Sequence, residues 1–176
     1  MASTDSLPTE AMFTRSKSVA DAIEQLIGAT EVSLDAALYR LTSQRLARAL
    51  DEARDKGVRV RLLIDRNRFQ ESSATRQLLS NCRLPFRVAY GRNGAGSKMH
   101  HKFALLDNSV VLTGSYNWTF ASEEENYENV LILREPRLVG IYQVEFEALW
   151  EDSQEVELGH SGNPGNPVWP SLPSLA

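Results

Sequence analysis

The spacing of apolar residues divides the chain into alternating helices and strands. Apolar positions that recur every three or four residues predict helices, whereas short alternating or continuous apolar runs predict strands. The helices predicted in this way are 17–27, 43–56 and 74–80. The strands predicted in this way are 31–39, 58–64 and 86–90. Such alternation is typical of a sheet whose strands are connected through helices.

After residue 90 the pattern changes, and strands follow one another directly. Residues 91–97 are rich in glycine and are predicted to form a mobile loop. Two strands then flank Asp107-Asn108, a pair of residues that favours tight turns. The elements predicted in this part are strands at 102–106, 110–113 and 129–133 and helices at 117–124 and 136–150.

The order of these elements predicts an α/β fold in one domain. The length of 176 residues suits a single domain. We expect an α/β/α sandwich with a mixed central sheet over residues 11–152, preceded by an N-terminal extension at 1–10. Residues 159–176 contain four of the seven prolines and three of the ten glycines, which predicts a flexible tail.

Composition excludes several classes of protein. A hydrophobic content of 42% is sufficient for a packed core and argues against a disordered chain. Cys82 is the only cysteine, which excludes an internal disulfide and a cysteine-rich zinc site. The first fourteen residues lack the apolar segment of a signal peptide, and the chain has no long apolar run. We therefore expect a cytoplasmic protein without a membrane span.

Charge is distributed unevenly along the chain, although the net charge is only −4. Residues 58–102 contain ten lysines and arginines against two acids, whereas 121–158 contain eleven acids and two arginines. This separation predicts an electropositive face that attracts a polyanion. The alternative is that solvated helix surfaces merely differ in sign.

Candidate chemistry is concentrated between residues 99 and 117. On a strand, His100 and Lys102 share one face while His101 lies on the other. A lysine beside a histidine neutralises an oxyanion and disfavours the imidazolium, which leaves the imidazole able to attack phosphorus. These two residue types at this spacing therefore predict a phosphate site.

Residues that follow the second of these strands add to the predicted site. Gly114 is expected to let the backbone approach a ligand closely. Ser115 and Asn117, again two apart, supply neutral hydrogen-bond donors, and the helix predicted at 117–124 would offer free N–H groups. Glu128 is the acid expected to fix the tautomer of His100.

These residues resemble the signature of the phospholipase D superfamily. The chain reads His-x-Lys-x4-Asp-x6-Gly-Ser-x-Asn from His100 to Asn117, six matching identities in eighteen residues. Asn126-Tyr127-Glu128-Asn129-Val130 resembles the segment that carries a supporting glutamate in that superfamily. The likeness is greatest to short members with a single motif, namely Nuc-type endonucleases and the Zucchini/mitochondrial cardiolipin hydrolase group.

The resemblance implies a role for each matching residue. His100 would be the nucleophile that forms a phosphohistidine, and Glu128 would orient it. Asp107 would have a supporting role. The residues implied to hold phosphate oxygens are Lys102, Ser115 and Asn117. Because the superfamily uses two motifs per active site and this chain has one, the resemblance also implies a homodimer whose active site lies on the two-fold axis.

We expect a metal-independent phosphodiesterase without a cofactor, specifically an endonuclease that hydrolyses DNA or RNA. Arg66 and Arg68 follow a predicted buried strand, where ligands bind in α/β folds, and they are predicted to contact the substrate together with Lys98. A phospholipase D or cardiolipin hydrolase is the alternative, since it would use the same residues. A non-catalytic phosphate or nucleic-acid binder is the third possibility.

Overall fold

The fold is a three-layer α/β/α sandwich, as the element order predicts. The computed structural model describes residues 9–82 and 84–156. Within these residues one mixed sheet of nine strands lies between two layers of helices. The predicted tail at 159–176 and most of the predicted extension at 1–10 lie outside the described residues.

The elements alternate in the first half of the chain and become consecutive strands in the second. The strands are β1 (Glu10–Phe13), β2 (Ser33–Leu38), β3 (Arg59–Asp65), β4 (Phe86–Gly91), β5 (Gly94–Lys98), β6 (Lys102–Leu106), β7 (Val110–Gly114), β8 (Asn129–Leu133) and β9 (Gln154–Glu155). The helices are α1 (Val19–Gly28), α2 (Gln44–Asp55), α3 (Arg66–Glu71), α4 (Ser73–Cys82), α5 (Phe120–Glu124) and α6 (Pro136–Glu151). None of the described helices is long and apolar enough to cross a membrane.

The strand order places the beginning of β6 beside the ends of two parallel strands. The sheet runs β1-β8-β7-β6-β2-β3-β4-β5, with β9 also paired to β4. β2, β3 and β4 are parallel, because helices connect them, whereas β6 pairs antiparallel with β2. Leu38, the last residue of β2, lies opposite Lys102, the first residue of β6. Side chains that follow β2 and β3 therefore meet those that precede β6.

Each face of the sheet has its own apolar core. The larger core packs one face against α1 and α2, and its fully buried side chains include Ile23, Leu50 and Leu62. The smaller core lies under α6, where Phe146 packs at 6.4 Å from Phe103, centre to centre. Both faces of β2 are consequently buried along its whole length.

The glycine-rich segment 91–97, predicted to be a mobile loop, instead belongs to a hairpin of β4 and β5. A Cβ atom on Gly91 would lie 2.5 Å from the carbonyl oxygen of Lys98, so glycine permits close approach of the two strands. Gly94 turns the chain at a φ of 73°, which also favours glycine. The side chain of Asn67 holds the hairpin through the carbonyl oxygens of Ala95 and Ser97, each at 3.2 Å.

Three short elements have no counterpart in the predictions. The strands β1 and β9 have four and two residues, too few for an apolar period. β1 begins one residue before the predicted domain 11–152, and β9 lies after its end. The helix α3 begins directly after β3. Asp65 makes this abrupt change possible, because its side chain accepts the N–H of Arg68 at 2.8 Å as the helix N-cap.

The basic segment 58–102 does not form one electropositive face, contrary to the prediction. Arg59 and Arg61 point from β3 toward α6 and bind the buried Asp35 at 3.1 and 2.7 Å. Arg61 also donates to Glu147 at 3.0 Å. These guanidinium groups neutralise carboxylates between the sheet and α6. Their positive charge is therefore not available to a ligand.

Asp107 ties the turn between β6 and β7 to the beginning of β2. Its carboxylate accepts the backbone N–H groups of Glu31, Val32 and Ser33 at 2.9, 2.7 and 2.9 Å. Partial burial opposes ionisation, but the three N–H groups outweigh it and hold the pKa of Asp107 below its usual value. Asp107 and Asn108 both have a left-handed backbone, with φ of 51° and 49°. This placement, at the end of β6 remote from His100, suits a supporting role.

We predict that Asp107→Ala lowers the free energy of unfolding by about 2–3 kcal/mol, because it removes three bonds to a charged acceptor and strains the turn. Asp107→Asn keeps an acceptor and tolerates the left-handed backbone, so its loss should be smaller. Urea denaturation at pH 7 measures both losses. The carboxylate stabilises the fold above the unfolded pKa of about 3.9, and this contribution disappears as the pH falls through the lower folded pKa. Equal losses in the two variants at every pH would contradict the assignment.

Candidate active site

His100 and Lys102 lie together at the sheet edge where β2 and β3 end. The ammonium nitrogen of Lys102 is 3.3 Å from Nδ1 of His100 and donates to the carbonyl oxygen of His100 at 2.8 Å. Met99 is fixed at the end of β3, because its N–H donates to the buried Asp65 at 2.9 Å. The backbone that carries the two candidate residues is therefore anchored on both sides.

The surroundings of His100 favour its neutral form. Burial lowers the pKa of His100, and the charges of Lys102 and Lys98 lower it further, while Asp65 opposes them. Burial also lowers the pKa of Lys102, with Arg40 adding to the effect and Glu128 opposing it. A neutral imidazole beside a cation can act as a nucleophile toward an anionic phosphate.

Glu128 does not contact His100, contrary to expectation, among the residues that the structure describes. Its carboxylate accepts a hydrogen bond from the hydroxyl of Ser115 and lies 3.4 Å from the Ser122 hydroxyl. Ser115 in turn accepts the N–H of Asn129 at 3.1 Å. Within one chain, Glu128, which precedes β8, therefore orients Ser115, which follows β7.

Gly114 is required for strand packing rather than for approach to a ligand. A Cβ atom at this position would lie 2.2 Å from the carbonyl oxygen of Asn129 on β8. The helix predicted from residue 117 begins only at Phe120, and Thr119 caps it by accepting the N–H of Ser122 at 3.2 Å. The predicted free N–H groups next to Asn117 are therefore not present.

Asn117 reaches the site because its segment is pinned to the segment that follows β2. Leu41 and Trp118 form an isolated parallel bridge, and the N–H of Trp118 donates to the carbonyl oxygen of Arg40 at 3.2 Å. Thr42 donates its N–H to the carbonyl oxygen of Trp118 at 2.9 Å. Asn117 thus lies next to the segment that follows β2.

The two predicted substrate arginines have different environments. Arg66 is only 5% exposed, and its guanidinium carbon lies 4.9 Å from the Tyr90 ring centre. Its side chain is also hydrogen bonded to Gln154. This burial contradicts the prediction that Arg66 contacts a substrate. Arg68 is partly exposed and remains available at the site edge, although it shares an ion pair of 2.9 Å with Glu71.

His101 faces the opposite side of the chain from His100, as strand alternation predicts. Its Nε2 lies 3.1 Å from Glu145 of α6. A cavity of about 730 Å³ opens between these elements, and its lining includes His100, His101 and Lys98. Lys98 is therefore brought next to His100, and its contact with a substrate stays a prediction.

Sequence reasoning missed Tyr39, Arg40 and Asp65. Tyr39 is buried, and its ring lies 4.3 Å from the His100 ring, centre to centre. Tyr39 and Arg40 directly follow β2, just as Arg66 directly follows β3. The prediction of Arg66 used the rule that ligands bind after the ends of parallel strands, and it applied that rule to β3 only. The same rule applied to β2 would have identified Tyr39 and Arg40.

Comparison with known proteins identifies the class. Residues 23–150 match the family described as cardiolipin synthase, PLD-like domain. The chain belongs to this phospholipase D-like family, which confirms the resemblance seen in its motif. In structure it is similar to Nuc from Salmonella typhimurium, a phospholipase D family member, with a TM-score of 0.75 and 25% identity over 84% of this chain and 97% of that chain. NucT from Helicobacter pylori has the same fold, with a TM-score of 0.73 and 20% identity over 84% of this chain and 99% of that chain.

Curated relatives carry the name mitochondrial cardiolipin hydrolase. The relative from Xenopus laevis is 39% identical over 128 residues, which cover 73% of this chain and 59% of the relative. The human relative is 36% identical over 123 residues, which cover 70% of this chain and 47% of the relative. The match with these relatives therefore spans less than two thirds of their length.

We predict that Lys98→Gln raises the pKa of His100, because it removes a cation that disfavours the imidazolium. Titration of the imidazole by NMR measures the pKa, and His100→Ala identifies the resonance. In the unaltered protein the value should lie below about 6.5. Lys56→Gln makes the same charge change at the far end of α2 and should leave the titration unchanged. An identical His100 pKa in both variants would show that Lys98 does not act on this group.

Proposed function

We propose that the chain is a metal-independent phosphodiesterase, specifically an endonuclease that hydrolyses DNA or RNA through a phosphohistidine. The observation that carries the proposal is the contact between Lys102 and His100. Burial and the charge of Lys102 lower the pKa of His100. A neutral imidazole is the nucleophile, and the adjacent ammonium stabilises the charge that develops on the phosphoryl oxygens.

The reaction has two steps in this proposal. A ring nitrogen of His100 attacks phosphorus, a P–N bond forms, and the P–O bond to the leaving group breaks. Water then attacks the phosphohistidine, which breaks the P–N bond and releases a phosphate monoester. Lys102, Ser115 and Asn117 bind the non-bridging oxygens during both steps. A general acid gives a proton to the leaving oxygen in the first step and takes one from water in the second.

The positive charge for this chemistry comes from side chains. The ammonium of Lys102 contacts His100 directly. Fixed cations of this kind stabilise a phosphoryl transition state without a divalent ion. The reaction is therefore proposed to continue when divalent metals are chelated.

The general acid is proposed to come from a second copy of the chain. His101 is paired with Glu145 of α6, whereas His100 contacts Lys102, so one chain supplies one histidine in contact with the site lysine. Three exposed aromatic side chains lie at element ends near Ser115 and Glu128, and they suit contact with a partner: Phe13, Phe120 and Tyr127. A two-fold axis at this edge would place the His100 side chains of both copies on opposite sides of one phosphate.

Hydrolysis of cardiolipin or another phospholipid is the second candidate, and the names of the relatives favour it. The exposed aromatic side chains would then contact lipid. The cations Arg40, Arg68 and Lys98 around the site favour the nuclease, because a nucleic acid presents many phosphates and a lipid presents few. A phosphate binder without turnover would keep the same pocket.

We predict cleavage of oligonucleotides in excess EDTA, measured in parallel on single-stranded and double-stranded DNA, on RNA and on cardiolipin vesicles. His100→Ala should lower kcat about a thousandfold or more, because it removes the nucleophile, whereas His101→Ala should keep most of the activity on a small phosphodiester. Cleavage of cardiolipin alone would select the second candidate. Loss of all activity with EDTA and its return with magnesium would contradict the metal-independent reaction.

Dimerisation is tested by co-expressing unaltered chains and His100→Ala chains with two different tags. Heterodimers purified through both tags should have almost no activity, since their single shared site has only one of its two histidines. Homodimers of the unaltered chain from the same preparation are the control. Half-maximal activity in the heterodimer, or a fully active monomer in sedimentation, would contradict the shared site.

A further inference from the structure

A single buried tyrosine contacts the candidate nucleophile and three cations. The ring of Tyr39 is 6% exposed and packs against His100 at the site edge. Its centre lies 5.0 Å from the ammonium nitrogen of Lys102. The guanidinium carbons of Arg68 and Arg40 lie 5.4 and 5.7 Å from the same centre. These positive groups are therefore arranged around one aromatic ring.

Cations of like charge repel one another, so their gathering needs a compensating attraction. An aromatic ring attracts a cation through its electron-rich face and does not neutralise the charge. The backbone of Arg40 is also held, since its carbonyl oxygen accepts the N–H of Trp118. Tyr39 therefore concentrates positive charge at the site edge. Arg68 is also paired with Glu71, whose carboxylate is exposed, whereas Arg59 and Arg61 are paired with the buried Asp35.

The cations exceed what one phosphate requires. Lys102 contacts His100 directly and suffices for the scissile group. Arg40 and Arg68 follow the ends of β2 and β3, two neighbouring parallel strands. Their planar guanidinium groups present paired donors that match the oxygens of a phosphate.

We propose that Arg40 and Arg68, held by the Tyr39 ring, bind the phosphate adjacent to the scissile one in a polyanionic chain. The inference rests on the proposed nuclease function, because a nucleic acid presents a phosphate on each side of every nucleoside and so can occupy both positions. Tyr39 acts as a positioning residue, since it contacts the arginines and His100 but not the phosphate. Arg66 takes no part, because it is buried beside Tyr90.

Thymidine 3′,5′-bisphosphate tests the subsite without turnover, because it carries two phosphates on one nucleoside and no phosphodiester. Isothermal titration of the full chain should show that it binds about tenfold tighter than either thymidine monophosphate. Arg40→Ala should abolish this preference, and Arg40→Lys should keep part of it. Lys56→Ala, which removes one positive charge at the far end of α2, is the matched control and should keep the preference in full.

Tyr39→Leu and Tyr39→Phe separate positioning from folding. The phenylalanine keeps the ring and should retain the preference for the bisphosphate, whereas the leucine should lose it while thermal unfolding confirms that both variants are folded. The salt dependence of bisphosphate affinity should also become shallower by about one unit in Arg40→Ala, because one phosphate contact is lost.

Two results would overturn the subsite. One is equal affinity of the unaltered protein for the bisphosphate and the monophosphates. The other is a loss in Arg40→Ala no greater than that in Lys56→Ala. Failure of the nuclease proposal looks different: the bisphosphate would still bind tighter through Arg40, but no oligonucleotide would be cleaved. Cleavage without a bisphosphate preference would leave the nuclease in place and remove the subsite.

Discussion

The antiparallel pairing of β6 with β2 is the constraint on which the candidate site depends. Had β6 run parallel to β2, His100 and Lys102 would lie at the opposite edge of the sheet from the residues that follow β2 and β3. Because the pairing is antiparallel, with Leu38 opposite Lys102, the beginning of β6 meets the ends of two parallel strands. Asp107 holds the other end of β6 to the beginning of β2 and so fixes the register. The hydrogen bonds of Asp107 at the end of β6 thereby help to position His100 and Lys102 at its beginning.

This arrangement explains how a charged pocket coexists with a protein of net negative charge. Arginines on β3 that face α6 are neutralised by Asp35 and Glu147 inside the sandwich. Arg40, Arg68 and Lys102 at the site edge contact the ring of Tyr39, which attracts them without removing their charge, although Arg68 is also paired with Glu71. Glu128 accepts a hydrogen bond from Ser115, so this carboxylate orients a hydroxyl. The positive charge available to a phosphate is therefore set by these contacts, not by the total charge.

The same contacts bear on the proposal that two copies of the chain share one active site. Within one chain, His100 has a cation beside it and an aromatic ring against it, but no carboxylate hydrogen bonded to it among the described residues. His101 is instead paired with Glu145 of α6. The proposed two-step phosphoryl transfer requires a general acid in addition to the nucleophile. Membership in the phospholipase D-like family and the proposal of a shared site are thus consistent with the same geometry.

Much of the fold and the centre of the site could be predicted from the sequence, because both depend on local spacing. The spacing of apolar residues predicted the principal helices and strands. The alternation of side chains along a strand predicted that His100 and His101 lie on different faces. Local spacing could not predict which strands are neighbours, so it could not predict that Tyr39 and Arg40 reach His100 or that Glu128 meets Ser115. Local spacing also gave the wrong reason for two glycines. Gly91 and Gly114 are needed because a Cβ atom at either position would clash with the backbone of a neighbouring strand.

The sequence by itself therefore determined the element types, the layered class and the residues of the phosphate motif. The tertiary structure alone decided which charges remain available at the site. The segment from 58 to 102 is strongly basic in sequence, yet Arg66 is buried and Arg61 is neutralised, while Arg68 reaches the site edge. The physical reason is that the energy of a charge depends on its burial and on its partners. Strands distant in the sequence supply most of those partners.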